Sequence, residues 1–290
     1  MTHILTLIAS DKPLSIAHIE SVENFIEAKA IGLNGKPEWL KEHEAAIVPV
    51  QNALTMEQMM ELRKLLAEAR IDVLCTLQHG RSKKLLVADM DSTIVTSETL
   101  DELAGKAGIK DEIAAITARA MNGELDFKAA LRERVGLLKG LPVSALQQTL
   151  SEVELSPGAK DLIMSCRAKG MTCVLVSGGF TYFTAAICEQ CGFNAHHSNT
   201  LGNDGHTLDG TVGDPILDKE SKLQFLIRYA GEMGLTLEET VAIGDGANDL
   251  PMIAAAGLGI GYRPKPVLEE SVLNVLKYAP LDRLKYALAG

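Results

Sequence analysis

Leu85-Leu86-Val87-Ala88-Asp89-Met90-Asp91-Ser92-Thr93 is the stretch on which the reading of this chain turns. A short apolar run ending in two acids reads as a buried strand that delivers carboxylates to a loop. In an extended chain an Asp-x-Asp pair aims both side chains at one face, and the loop beyond frees a backbone carbonyl for other contacts. Two carboxylates so placed repel each other and attract a hard cation, so the pair is costly unless positive charge lies between them. The same spacing also occurs in ordinary helix-start loops, and both readings stand until the rest of the chain is weighed.

The chain has 290 residues, long enough for two domains or one large domain with a small appendage. Apolar residues make up 47% of it, enough for a substantial core. The formal net charge of −10 argues against a general attraction to nucleic acid or to an anionic membrane surface. An anionic substrate would need a locally positive site. Ile4 to Ala9 is shorter than a signal-peptide core, lacks a basic flank and runs into Asp11 and Lys12, so it is expected to be a first strand. No uninterrupted apolar run approaches the ~20 residues of a membrane span. The five cysteines, an odd count in a core-rich chain, fit reduced thiols and a cytoplasmic protein. Cys188 and Cys191 form a lone C-x-x-C followed by His196 and His197. That leaves a zinc site open beside the plainer reading of small apolar residues on a packed helix.

Residues 1–80 read as alternating strands (His3 to Ala9, Ala45 to Val50, Ile71 to Leu77) and helices (Ser15 to Ala28, Met56 to Arg70), a βαβαβ module. Thr55 and Gln58 make a capping box, and Met56, Met59, Met60 and Leu66 an apolar stripe. The polar link Gln78 to Lys83 is the expected boundary, with a second domain over 83–290. Residues 98–150 read as a helical insertion, broken at Met121 to Glu124 and restarted by Pro142 and a Ser144/Gln147 capping box. Ser156-Pro157 is expected to start another helix, ending at Gly170. Met171 to Val176 and Thr240 to Ile243 are expected strands, and Gly257 to Tyr262 one more. Helices are expected from Ser177-Gly178-Gly179 to about Gln190 and over Lys219 to Met233, with a hairpin around Asn203-Asp204-Gly205. Strands alternating with helices imply an α/β fold: a parallel sheet with helices on both faces.

The reactive candidates fall repeatedly just after strands: Asp89 and Asp91, then Ser177, then Asp245. In an open α/β sheet the carboxyl ends of the strands line the binding crevice, so these residues should meet in space. Gly244-Asp245-Gly246-Ala247-Asn248-Asp249 is a second acidic cluster whose glycines suit close approach to a ligand. With Asp89 and Asp91 it offers oxygen ligands suited to magnesium, and no histidine or cysteine that would favour zinc. Ser177-Gly178-Gly179 presents a hydroxyl and backbone N–H groups to an anion at a helix start, though such turns are often only turns. Lys222 on the following helix is a candidate partner for phosphate charge, although a helical lysine is usually solvated.

In this order, Asp89 to Thr93, Ser177, Lys222 and Gly244 to Asp249 resemble the four motifs of the haloacid dehalogenase-like phosphohydrolases. Glu98, Leu131-Arg132-Glu133-Arg134-Val135 and Val176 to Phe180 narrow the resemblance to the phosphoserine phosphatase family, from about Lys83 to the C-terminus. The resemblance implies a Rossmann-like core with a helical cap inserted after its first strand. It implies hydrolysis of O-phosphoserine to serine and phosphate, the last step of the phosphorylated route to serine. Asp89 would be the nucleophile, Asp91 the general acid and base, and Mg2+ would sit on Asp89, Asp245 and the carbonyl of Asp91. Ser177, Gly178 and Lys222 would hold the phosphoryl group, with Gly179 in support, Asn248 on the substrate side and Asp249 orienting Lys222. A buried Glu98 would take the substrate ammonium and Arg134 its carboxylate, with Phe127 against its apolar edge and Arg132 pointing elsewhere. Residues 1–80 lie outside this resemblance. They loosely resemble a small amino-acid-binding regulatory module of the ACT type, which leaves room for a ligand or a homodimer contact.

Two other functions stay open on the sequence. One is a related phosphatase or phosphotransferase acting on another small phosphorylated amine or alcohol. The other is a sensing or interaction module with a vestigial site, against which stands the full set of Asp89, Asp91, Ser177, Lys222 and Asp245.

Overall fold

The computed structural model describes residues 2–78, 82–121 and 124–288. The centre of the predicted link, His79 to Arg81, and the predicted break at Asn122 and Gly123 lie outside the described residues.

The N-terminal part runs β1 (His3–Ala9), α1 (Ile16–Ala28), β2 (Glu38–Lys41), β3 (Ala45–Val50), α2 (Met56–Leu66) and β4 (Ile71–Leu77). Its four strands lie in the order β2-β3-β1-β4, every pairing antiparallel. The alternation of strands and helices therefore does not extend the parallel sheet into this part. β2 escaped the sequence reading because Glu38-Trp39-Leu40-Lys41 shows no apolar run and is only half-buried at the sheet edge. α2 starts as expected, with Thr55 and Gln58 exchanging both capping-box bonds. Its buried face is Met59, Leu62 and Leu66, whereas Met60 is exposed, and the helix stops at Leu66 rather than Arg70. Those side chains close over Leu5, Leu7, Val48 and Val73 to form a separate apolar core.

After the link come β5 (Leu85–Ala88) and four helices, α3 (Thr99–Ala107), α4 (Lys110–Met121), α5 (Phe127–Gly136) and α6 (Ser144–Glu152). Next are α7 (Ala159–Ala168), β6 (Thr172–Phe180), α8 (Thr181–Cys191), β7 (Ala195–Asn199), and the hairpin β8 (Leu201–Asn203) with β9 (Leu208–Val212). The chain continues with α9 (Lys219–Glu232), β10 (Thr240–Gly244), α10 (Leu250–Ala255), β11 (Leu258–Tyr262), α11 (Pro266–Glu269) and β12 (Val275–Leu276), and a 3-10 helix over Leu281–Tyr286 follows.

Six strands form one parallel sheet in the order β12-β11-β10-β5-β6-β7. Period two along β5 sends Leu85 and Val87 into one core and Leu86 and Ala88 into the other. A strand buried on both faces reads as an unbroken apolar run, which is why this one was legible.

Three local expectations give way. Neither Ser144 nor Ser156 caps a helix: Val143 precedes α6 without a capping bond, and Gly158, in the left-handed region at φ +77, precedes α7. A side chain at Gly158 would also collide with Asp282. Ser177-Gly178-Gly179 is not a turn, because β6 runs through it to Phe180, its pairing with β7 shifting register on the way.

Candidate active site

The strand order reverses at β5, whose neighbours are β6 on one side and β10 on the other. Such a switch point opens a crevice at the carboxyl ends of the strands. Asp89 follows β5 there, its N–H donating to the carbonyl of Ile243 at 2.9 Å, and Asp245 follows β10. The backbone then leaves the sheet: Asp91 stays extended, Ser92 turns left-handed at φ +56, and the N–H of Val95 returns to the carbonyl of Met90 at 3.0 Å. The two acids consequently find different partners. Carboxylate oxygens of Asp89, Asp245 and Asp249 lie within 4.8 Å of one another. The Asp91 carboxylate instead accepts the N–H of Thr99 at 3.0 Å and the hydroxyl of Ser177 at 3.5 Å.

Lys222 reaches this cluster from the first turn of α9, which Asp218 and Ser221 cap reciprocally. Its ammonium lies 2.8 Å from Asp89 and 2.5 Å from Asp249, and the residue is only 3% exposed, far from the solvated lysine its helical setting suggested. Asp249 uses its other oxygen to accept the N–H groups of Asp245 and Gly246, so the lysine is held by a carboxylate that is itself held. A side chain at Gly244 would overlap Asp249. The glycine there makes room for that acid.

Charge balance at the cluster is unfavourable as it stands. Burial, then the neighbouring Asp249, pushes the Asp89 carboxyl well above the ordinary range, against the pull of Lys222. Burial works against the Lys222 charge, but Asp89 and Asp249 outweigh it and hold the ammonium above the usual lysine range. Burial also raises Asp245, with Lys265 opposing. Three carboxylates against one buried ammonium, with oxygen as the only donor type, fit a hard divalent cation. Asp249, expected only to orient Lys222, joins the cluster, and the side chain of Asp91 does not. Burial, with Glu98 adding, pushes the Asp91 carboxyl up to about 6.

A cavity of about 200 Å³ opens onto these groups, lined by Asp89, Asp91, Lys222 and Asp245 and by Glu98, Phe127, Arg134, Gly178, Gly179 and Asn248. The sequence-predicted residues are thus brought together, Ser177 standing behind the wall with its oxygen accepting the N–H of Gly179 at 2.8 Å. A side chain at Gly179 would press on Asp91 and Ser177. Glu98 departs from expectation: its side chain is 46% exposed, not buried. Arg134 projects into the cavity, where burial lowers its pKa against the pull of Asp101 and Glu98. Arg132, two positions earlier, turns away to Asp214 at 2.7 Å. It lines instead a neighbouring cavity of about 700 Å³ that shares Phe127, Gly178, Lys222 and Asn248.

Lys265 was missed. Its ammonium lies 3.1 Å from both Glu98 and Asp245. No motif marks it, yet it lies just beyond β11, and position after a strand was the signal that found Asp89 and Asp245.

The zinc reading at Cys188 and Cys191 finds no support among the described residues. His197 stacks on Phe225 and meets the Tyr229 hydroxyl at 2.8 Å, while His196 bonds Thr184 at 3.0 Å. The sulfur of Cys188 donates to the carbonyl of Phe193 and Cys191 is buried, so the four side chains serve separate contacts.

Comparison with known proteins agrees with this architecture. Residues 86–254 match the model of the haloacid dehalogenase-like hydrolases. The chain belongs to that family. It is 43% identical over 210 residues to a phosphoserine phosphatase of Streptomyces coelicolor, covering 72% of this chain and 51% of that protein. It therefore spans only about half of that relative's length. It is 35% identical over 283 residues to a probable phosphoserine phosphatase of Schizosaccharomyces pombe, covering 95% of this chain and 92% of that one. The crystal structure of a probable phosphoserine phosphatase from Vibrio cholerae superposes with a TM-score of 0.79 at 31% identity, covering 99% of this chain and 86% of that one. No helix among the described residues is long and apolar enough to cross a membrane.

Proposed function

We propose that this hydrolase is a magnesium-dependent phosphoserine phosphatase working through an aspartyl-phosphate. The observation that carries the reading is one 200 Å³ cavity joining Asp89 and its buried Lys222 to Glu98 and Arg134, receptors for the two charged ends of an amino acid. Similarity to phosphoserine phosphatases over most of the chain supports the same substrate.

Asp89 attacks phosphorus in line, forming the aspartyl-phosphate as the bond to the serine oxygen breaks. Among the described residues its hydrogen bonds fall on Oδ1, from Met90 and Lys222, which leaves Oδ2 for the attack. Asp91 gives its proton to the leaving oxygen. It then takes one from the water that cleaves the acyl phosphate, freeing phosphate and restoring Asp89. A carboxyl near 6 suits both halves of that exchange around neutrality. Lys222 and the Gly178 backbone hold the phosphoryl oxygens, with the Ser177 hydroxyl behind them tied to Asp91 and to the Gly179 N–H. Magnesium held by Asp89, Asp245 and the Asp91 carbonyl would neutralise charge on the transferring group, the main demand of phosphoryl transfer. The α3 to α6 insertion serves as a cap over the cavity, and the N-terminal part as an ACT-like regulatory or dimerisation module of a cytoplasmic enzyme.

A panel of phosphomonoesters assayed for released phosphate tests this. Phosphoserine should be turned over far better than phosphoethanolamine, which lacks the carboxylate that Arg134 would bind; equal turnover sinks the assignment. Chelation should stop the reaction, and magnesium rather than zinc should restore it.

A further inference from the structure

β11 ends at Tyr262, and the chain turns sharply beyond it. Arg263 adopts a left-handed φ of +40, rare for a residue with a side chain, and the buried Pro264 follows. This turn swings Lys265 over the carboxyl end of β10. There its N–H donates to the carbonyl of Asp245 at 2.8 Å, and its ammonium bridges Asp245 Oδ2 and Glu98 Oε1. The far end of α11 is secured independently, since Arg63 of the N-terminal part donates to the carbonyls of Glu269 and Val272. Glu98 stands at the N-cap of α3 but spends no oxygen on capping, and Oε1 also takes the hydroxyl of Ser92 at 3.0 Å.

Half-exposed ion pairs contribute little stability. One ammonium on two acids from distant segments does something else: it sets their relative placement. We propose that Lys265 is a positioning residue that holds Glu98 and Asp245 as one unit, linking the receptor for the substrate's ammonium to a carboxylate of the metal cluster. The inference rests on the role given to Glu98 above. The lysine charge opposes a divalent cation at Asp245, and the same charge keeps Glu98 aimed into the cavity. Its removal should therefore move two properties in opposite directions, which a loss of packing does not do.

The experiment compares the native protein with Lys265→Met and Lys265→Arg. Magnesium affinity is measured by calorimetric titration without substrate, and kcat and KM are measured on phosphoserine and on an aryl phosphate. In Lys265→Met, magnesium should bind about three- to tenfold more tightly, the scale of one partly solvated charge. KM for phosphoserine should rise by a factor of about three to ten, with a smaller change on the aryl phosphate, and Lys265→Arg should keep both properties near native. Unchanged or weaker magnesium affinity overturns the proposal, as does an equal rise of both KM values accompanied by a lower melting temperature. If the native protein cleaves the aryl phosphate but not phosphoserine, the substrate reading falls. Lys265 is then judged by the titration alone, where tighter binding keeps its tie to Asp245 and anything else removes it.

Discussion

Asp89 sits where burial and Asp249 press against its charge and Lys222 relieves it. Asp89→Asn keeps the shape and the acceptor for the Met90 N–H, but it has no carboxylate with which to attack. Turnover should fall by roughly a thousandfold or more, while the melting temperature stays level or rises because a like-charge contact is gone. Retained turnover would remove Asp89 from the covalent step. Lys222→Met should cost about a hundred- to a thousandfold in kcat, the scale of losing one preorganised charge partner. It should also destabilise the fold, because Asp89 and Asp249 would face each other unpaired; a urea melt checks this. At this scale the sequence was most legible where chemistry sits directly after a strand, as at Asp89 and Asp245, whereas Ser177 lies within β6. Burial was not legible, since it depends on what packs from elsewhere. α9 carries Lys222 inward, and the start of α3 leaves Glu98 at the cavity rim.

Among elements, α5 would decide recognition under the proposed function. Asp126 caps it, accepting the N–H of Ala129 at 2.8 Å, and the helix then presents Phe127 and Arg134 to the cavity and Arg132 to Asp214. Arg134→Ala should raise KM for phosphoserine by roughly tenfold or more, the worth of a charge-assisted pair, and should spare an aryl phosphate. Arg132→Ala should leave phosphoserine KM within about twofold, as for an exposed ion pair. Equal losses in the two variants, or equal losses on both substrates, would take Arg134 out of substrate recognition. Helices and buried strands were readable because their periods are local. Caps were less so: Thr55 caps α2, but Ser144 and Ser156, with the same kind of local sequence, do not cap α6 and α7. Serine offers an acceptor, and tertiary packing decides whether a backbone N–H reaches it. β12 has two residues and β2 has no apolar run, so neither left a pattern to read.

Across the whole molecule, the antiparallel N-terminal sheet docks on the segment that follows Lys265, a relation between distant residues that no local pattern encodes. Asn274 accepts the N–H of Cys75 at 2.7 Å, and Asp72 of β4 accepts the N–H groups of Lys277, Tyr278 and Ala279. Ile8 and Leu74, on the face away from α2, join the apolar core of the C-terminal part. Burial raises the Asp72 carboxyl to about 6, although those three N–H groups pull it down. A carboxyl whose folded pKa exceeds its unfolded value near 4 binds protons more tightly in the fold across that window. Its contribution to stability is therefore least favourable above pH 6 and improves as pH falls from about 6 towards 4, by up to about 1.4 kcal/mol per unit. Asp72→Asn lacks that titration and offers one acceptor oxygen where two were used, so it should be less stable by about 1–3 kcal/mol for a buried donor left unpaired. The gap between the native protein and Asp72→Asn should widen in favour of the native protein as urea melts are moved from pH 7.5 to pH 5, because groups common to both cancel in the difference. A gap that stays flat between those two pH values would show that Asp72 keeps its charge at the interface, and that the three backbone donors outweigh its burial.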